Sequence, residues 1–188
     1  GLTISFLSPF IIPEELLENS QLSVNFHPGN RHFPGYGCYN FALYNGATEY
    51  GVVCHHMEPE VDTGPIILEK NFPILETDTV ENLQFRSYVL LLGVLQEFLP
   101  DFLAGKNFLE NNIQWTTAPY TKRLLNKLEL IDPTLSKAEL DRRIRAMSYP
   151  GYPLVTDVNG TRFELPQNNK IPLVGRLFSN TQAADNKS

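Results

Sequence analysis

Cysteine is scarce in this chain of 188 residues, which contains only Cys38 and Cys54. Two cysteines at this spacing form neither a CxxC pair nor a disulfide framework, so the sequence indicates no disulfide-stapled scaffold and no CxxC redox or zinc site. Cys38 also lacks the sequence signature of a nucleophile. We therefore expect both thiols to be reduced and partly buried.

Long apolar runs and an excess of basic residues are missing as well. The longest apolar run, residues 89–95, contains Gly93 and is far too short to cross a bilayer. The first residues, GLTISFLSPF, do not include the basic segment of a signal peptide. Asp and Glu number 21 against 15 Lys and Arg, a net charge of −6 that argues against a broad nucleic-acid footprint. These features predict a cytoplasmic protein with no membrane partner.

Motifs for nucleotide phosphates and metals are also absent from the sequence. No GxGxxG follows a predicted strand, and there is no P-loop. The histidines show no HxH or HxxxH spacing, and the neighbours His55 and His56 must face opposite sides of a strand. No metal is therefore expected, although a zinc hydrolase is a further hypothesis that chelation would test; its ligands would be His27, His32, one of the pair His55 and His56, and Asp62.

The residues that are present alternate between strand-like and helix-like segments. Four segments have the composition of strands: 2–8, 21–26, 48–57 and 65–74. Helices are predicted after Pro13, at 38–46 and from a capping box at Asp78–Glu81 to a break at Pro100. This alternation predicts an α/β domain with a largely parallel sheet.

The composition changes after Gly105, and we predict a boundary there. Residues 1–105 would form the core, 106–166 a C-terminal extension, and 167–188 a partly disordered tail. In the extension, Ser136 and Glu139 form a capping box for a charged helix, and Asn159-Gly160 marks the turn of a β-hairpin.

Asn25 and His27 stand at the end of the second predicted strand. Because they are two residues apart, their side chains share one face, and open α/β sheets bind ligands at such strand ends. Asp62 lies in a turn between two later strands, where Gly64 frees the backbone. If these strands are neighbours, Asp62 meets His27 and the three groups form a candidate site; a purely structural histidine is the alternative.

These residues belong to an ordered series of motifs. The series is Asn25-Phe-His27-Pro, Phe33-Pro-Gly35, Ala42-Leu-Tyr-Asn-Gly46, Gly51-Val-Val-Cys-His55 and Val61-Asp-Thr-Gly64. In this order the motifs resemble the folate-dependent formyltransferase family over roughly residues 2–105. A weaker resemblance, to the short C-terminal extension of formyltransferases that act on amino sugars and methionyl-tRNA, is limited to Arg145-Ala146 and the region from YPGYP at 149–153 through the hairpin. The resemblance implies a Rossmann-like formyltransferase fold whose first half is missing, so we expect a fragment or an abbreviated homologue.

The resemblance also implies a reaction, the transfer of a formyl group from N10-formyltetrahydrofolate to a primary amine. Asn25 would donate to the developing oxyanion, His27 would add charge stabilisation when protonated, and Asp62 would orient His27 and favour its cationic form. The positions matched to the cofactor site are Pro9, Phe10, Ile11 and Val61. Composition alone would instead place the apolar segment beginning at Phe10 in the core.

The acceptor stays open at the sequence level. A small amine such as an amino-sugar nucleotide is favoured by the acidic balance, and methionyl-tRNA is the alternative. Hydrolysis of formyltetrahydrofolate and a non-catalytic folate-binding module are further alternatives. One departure from the family lies in the loop after His27, where S-L-L-P is replaced by Gly29-Asn-Arg-His32. We expect residues 30–32 to form a variable rim that faces the acceptor.

Overall fold

The structure is a computed structural model that describes residues 1–108, 112–149 and 151–165. The tail predicted to be partly disordered, residues 167–188, lies outside the described residues. The boundary predicted at residue 105 stays a prediction.

A four-stranded sheet forms the centre of the fold. Its strands are β1 (Leu2–Phe6), β2 (Leu22–His27), β3 (Glu49–His56) and β4 (Ile66–Pro73), in the spatial order β1-β2-β3-β4. Only β1 and β2 pair in parallel, whereas β3 is antiparallel to both β2 and β4. The α/β class is confirmed, but the largely parallel sheet is wrong for the described strands. The connection from β3 to β4 contains no helix and is too short for a parallel crossover.

The helices are α1 (Glu14–Glu18), α2 (Cys38–Tyr44), α3 (Val80–Leu103), α4 (Lys122–Glu129) and α5 (Lys137–Met147). The C-terminal hairpin consists of β5 (Val155–Val158) and β6 (Thr161–Glu164). Asn159 and Gly160 both have positive φ, as a type I′ turn requires, which confirms the predicted hairpin. The cap of α5 is also confirmed, because the Ser136 side chain accepts a hydrogen bond from the Glu139 N–H.

Helix α3 differs from its prediction at both ends. Thr79, not Asp78, is its N-cap, and the Thr79 hydroxyl accepts from the Asn82 N–H. Asp78 instead accepts from the Leu75 N–H and pairs with Arg86. The helix also continues through Pro100, because a proline so near the C-terminal end removes only one intrahelical hydrogen bond. Helix α4, capped by Thr121, was not predicted.

The alternation of side chains along β2 decides where the polar groups lie. Val24 and Phe26 are fully buried in a cluster with Leu91 and Phe98 of α3. Burial of a Val or Phe side chain contributes roughly 1.5–3 kcal/mol, which fixes this face of the strand against α3. The residues between and after them, Asn25 and His27, therefore project from the opposite face of the sheet.

A second cluster joins the C-terminal segments to the core. Leu125 of α4 and Met147 of α5 pack with Ala42 and Leu43 of α2, and all four are nearly or completely buried. Among the described residues, no helix is long and apolar enough to cross a membrane.

Candidate active site

The three predicted catalytic residues meet around one carboxylate. Asn25 lies within β2, His27 ends it, and Asp62 lies in the turn between β3 and β4. The Nδ1 atom of His27 is 3.1 Å from Asp62 Oδ2, and Asn25 Nδ2 donates to Asp62 Oδ1 at 3.2 Å. The pairing of β2 with β3 brings the groups together, as predicted from the sequence.

The turn that carries Asp62 is tightly constrained. Asp62 has a φ of 52°, in the left-handed region that costs a non-glycine residue about 1 kcal/mol or more. The Gly35 N–H donates to Asp62 Oδ2 at 2.7 Å and holds the carboxylate from the other side. A Cβ at Gly64 would lie 2.0 Å from the His56 carbonyl oxygen, so only glycine fits there. The backbone thus aims the Asp62 carboxylate at the end of β2.

His55 is a fourth member of the site that the sequence analysis did not assign. It lies directly opposite Asn25 in the antiparallel register of β2 and β3. Its Nε2 atom is 3.2 Å from Asp62 Oδ1 and 3.1 Å from Asn25 Nδ2. His56 faces away, as predicted, and contacts the Phe108 carbonyl. An antiparallel reading of these strands would have identified His55, because it places residue 55 beside residue 25.

The hydrogen bonds define the orientation of Asn25. An ionised carboxylate only accepts hydrogen bonds, so the Asn25 atom facing Asp62 is the amide nitrogen. His55 Nδ1 lies 2.7 Å from the His56 carbonyl oxygen, which requires an N–H on Nδ1. The Nε2 atom of His55 accepts from Asn25 when it carries no proton, and donates to Asp62 when it carries one. The site therefore presents an amide donor held between a carboxylate and an imidazole.

Burial and charge act in opposite directions on the two ionisable groups at the centre. Burial raises the pKa of Asp62, but the neighbouring His27 and His55 and the Gly35 N–H outweigh it, so the net pKa lies well below the ordinary value. For His27, burial lowers the pKa, and the Asp62 carboxylate and Phe33 carbonyl, which raise it, offset this only in part. Asp62 does favour the cationic form of His27, as expected, but burial has the larger effect.

Trp115 encloses the histidine pair and was not predicted to do so. Its indole N–H donates to the Gly64 carbonyl at 2.8 Å, which ties it to the Asp62 turn. Its ring is edge-on to His55, with centroids 5.2 Å apart, and to His27, at 6.1 Å. The sequence offered only one signal, that this is the single tryptophan of the chain.

The acceptor rim predicted at residues 30–32 stays a prediction, and the structure shows how the loop after His27 is anchored. Asn30 is fully buried, and its amide N–H donates to the Asn71 side chain of β4. Arg31 forms a 2.8 Å ion pair with the buried carboxylate of Glu69, and His32 Nδ1 lies 2.8 Å from the Thr116 hydroxyl. None of these three residues lines the cavity described next. The polar groups of these residues anchor the loop to neighbouring segments. A sequence pattern alone does not distinguish such anchoring groups from groups that bind a ligand.

A cavity of about 820 Å³ opens over the catalytic cluster. Asn25, His27, His55 and Asp62 all line it, and so do the four positions matched to the cofactor site: Pro9, Phe10, Ile11 and Val61. Phe10 and Ile11 are 78% and 74% exposed, so the core location that composition favoured is wrong. The volume lies within the range of small-molecule and cofactor sites.

The remaining candidates for chemistry are inert. Burial raises the pKa of the Cys38 thiol to about 12, so Cys38 is not an activated nucleophile, and both cysteines are free and buried. Within residues 1–108, 112–149 and 151–165, no cluster of three or more His, Cys, Asp or Glu residues could hold a metal ion.

Residues 9–89 match the family model described as formyl transferase. The resemblance is confirmed. Among curated relatives, the chain is 32% identical over 161 residues to a GDP-perosamine N-formyltransferase from Brucella melitensis, covering 83% of this chain and 60% of that protein. It is 30% identical over 158 residues to a methionyl-tRNA formyltransferase from Streptococcus uberis, covering 82% of this chain and 49% of that protein.

A solved structure shows the same fold. The N-formyltransferase from Helicobacter canadensis, in complex with folinic acid and dTDP-3-aminofucose, superimposes with a TM-score of 0.66 at 23% identity. The match covers 89% of this chain and 62% of that one. The Rossmann-like formyltransferase fold is thus confirmed, while the chain spans about half to three fifths of the length of the two curated relatives.

Proposed function

We propose that this chain contributes the catalytic centre for transfer of a formyl group from N10-formyltetrahydrofolate to the primary amine of an amino sugar. One observation carries the proposal: the Asp62 carboxylate lies within 3.2 Å of Asn25, His27 and His55 at the wall of a ligand-sized cavity. The match to the formyl transferase family model includes all four residues.

Asn25 is the group that stabilises the developing charge. When the amine attacks the formyl carbon, a C–N bond forms and the formyl oxygen becomes an oxyanion. An Asn25 N–H that turns from Asp62 or His55 toward this oxygen donates a hydrogen bond without ionising. Loss of one such donor in enzymes costs about a hundredfold to a thousandfold in rate.

Asp62 and His27 act on the charge and the proton of the attacking amine. The attacking nitrogen becomes positive, and its proton must reach N10 of the folate before the bond from the formyl carbon to N10 breaks and the carbonyl reforms. Because the pKa of Asp62 is low, Asp62 stays a carboxylate that attracts the cationic nitrogen. Both ring nitrogens of His27 face acceptors, Asp62 Oδ2 at 3.1 Å and the Phe33 carbonyl oxygen at 3.0 Å, and only the cation has an N–H for each, although burial lowers the pKa of His27. We therefore assign to cationic His27 the charge stabilisation expected from the sequence, and to the Asp62 carboxylate, through a water, the transfer of the proton.

The segments at Pro9–Ile11 and Val61 are proposed to hold the folate donor. Exposed apolar side chains such as Phe10 and Ile11 line the cavity, and apolar surface of this kind suits a planar pterin. The Helicobacter canadensis neighbour was solved with folinic acid, a folate compound, which supports a folate-type donor here.

The cavity favours an amino sugar over tRNA as the acceptor. Among the described residues, no Lys or Arg lines the cavity, whereas Glu58, Glu60 and Asp62 do. Phosphate contacts dominate nucleic-acid binding and require basic side chains. A positively charged amine, by contrast, is attracted by this acidic lining.

Formyl transfer in vitro tests the proposal. The chain is incubated with N10-formyltetrahydrofolate and separately with amino-sugar nucleotides, methionyl-tRNA or no amine, and formylated product is followed by mass spectrometry. We expect a formylated amino sugar and negligible release of formate without amine. Formate release independent of amine would indicate a hydrolase, and folate binding without turnover would indicate a binding module; either result would refute the proposal.

A further inference from the structure

Five tyrosines line the catalytic cavity; one of them, Tyr120, stacks on Phe41 with ring centroids 4.0 Å apart, and the other four form the set described next. Tyr36 precedes α2, Tyr39 lies in α2, Tyr88 lies in α3, and Tyr152 follows α5. We call this set the tyrosine wall. One end of the tyrosine wall lies beside the catalytic cluster, because Tyr36 follows Gly35, whose N–H donates to the Asp62 carboxylate. The tyrosine wall comes from different segments than the aliphatic lining around Ile11 and Val61.

Three rings of the tyrosine wall, those of Tyr39, Tyr88 and Tyr152, are held in place before any ligand binds. Tyr39 packs against Tyr50 with ring centroids 5.6 Å apart, and Tyr152 packs against Tyr149 at 5.9 Å. Gln84 donates to the Tyr88 hydroxyl at 3.2 Å. Gln84 also accepts from the Tyr149 hydroxyl at 2.7 Å, so the two sides of the wall are connected. Rings ordered in this way lose little conformational freedom when a ligand binds.

The wall is neutral as well as rigid. Burial raises the pKa of Tyr88 and Tyr152, so these hydroxyls stay protonated and can both donate and accept hydrogen bonds. The absence of Lys and Arg from the described lining leaves no cation for a phosphate inside the cavity. A surface of aromatic faces and neutral hydroxyls matches a ligand that has an apolar face and hydroxyl groups of its own.

We propose that the tyrosine wall is the acceptor subsite and that it holds the pyranose ring of the amino sugar, with any phosphate-bearing part outside the cavity. This inference rests on the proposed function and deepens it. The C–H face of the sugar stacks on a tyrosine ring, its hydroxyls bond to tyrosine hydroxyls, and its amine is directed to Asp62. Tyr36, 44% exposed, is the member most open to an entering ligand.

Kinetics of a Tyr36 variant test the subsite. With N10-formyltetrahydrofolate as donor and the methyl glycoside of a 4-amino-4-deoxyhexose as acceptor, Tyr36→Ala should raise the KM for the glycoside roughly tenfold. The KM for the donor should not change. Tyr36→Phe, which keeps the ring, should restore most of the affinity. Tyr44→Ala removes a tyrosine outside the cavity and should leave both constants at their wild-type values.

A binding measurement separates failure of the subsite from failure of the proposed function. Saturation-transfer NMR with the same methyl glycoside needs no turnover. Signals that are strong with wild type and lost with Tyr36→Ala support the subsite, even if no amine is formylated, in which case the proposed function fails alone. Equal signals from both proteins, or none from the wild type, overturn the subsite. Glucosamine 6-phosphate, which carries a phosphate on the ring, should compete poorly; strong competition would also contradict the inference.

Discussion

The end of β2 and the loop that follows it are both rich in polar groups, yet the structure uses them differently. Asn25 and His27 line the cavity and converge on Asp62, whereas Asn30, Arg31 and His32 bond to β4 and to Thr116. Each region contains one asparagine and one histidine. The difference shows that polar residue types mark a site only when the backbone directs them into a space that a ligand can enter.

Among the tests of this difference between the two regions, the largest effect is expected at Asn25, on the rate of formyl transfer. Replacement by leucine, of similar size, removes the amide donor and should lower the rate of formyl transfer by about a hundredfold or more. Initial rates with saturating donor and acceptor measure the effect. Asn30→Leu is the matched control in the loop and should keep the wild-type rate per folded molecule. A wild-type rate for Asn25→Leu would contradict the role given to Asn25.

A smaller effect is expected at Arg31, on the stability of the protein and not on the rate of transfer. Arg31→Ala removes the ion pair to the buried Glu69 carboxylate and should lower the free energy of unfolding by about 1–3 kcal/mol. Urea denaturation measures the loss. The transfer rate of the folded fraction should not change, since Arg31 does not line the cavity. A drop in rate without a loss of stability would instead support the prediction that this loop forms a rim facing the acceptor.

The smallest expected effect is on the pH dependence of stability. The folded state lowers the pKa of His27 below its ordinary value of 6.5, so the unfolded chain binds more protons as the pH falls below 6.5, and stability decreases. Asp62, whose folded pKa is also depressed, adds a further loss only below its ordinary value of 3.8.

Histidine variants isolate this contribution. Between pH 7 and 5, the unfolding free energy of the His27→Gln protein should decrease less than that of the wild type. His32→Gln, the matched loop variant, should keep the wild-type slope because His27 is still present. If the pH dependence of the unfolding free energy changed in His32→Gln and not in His27→Gln, the attribution of this dependence to buried His27 would be wrong.

Local signals in the sequence predicted the elements well. The Ser136 cap and the Asn159-Gly160 turn act within four residues, so the chain itself contains the whole signal. The choice between Asp78 and Thr79 as the cap of α3 could not be made locally, because Arg86, eight residues away, pairs with Asp78.

Features that depend on strand direction and on distant segments could not be predicted. The motif series resembled a known family and thereby gave Asn25, His27 and Asp62. His55 joined them only once β3 was known to run antiparallel to β2. Trp115 contacts the site from the C-terminal region, and no periodicity in the sequence encodes such an approach.

The central claim is that His27, and not His32, belongs to a formyl-transfer site. The most direct measurement is single-turnover transfer from N10-formyltetrahydrofolate to an amino-sugar acceptor by wild type, His27→Ala and His32→Ala, with folding of each confirmed by circular dichroism. The account predicts that His32→Ala transfers at the wild-type rate and that transfer by His27→Ala falls to background. Equal rates for His27→Ala and the wild type would contradict it.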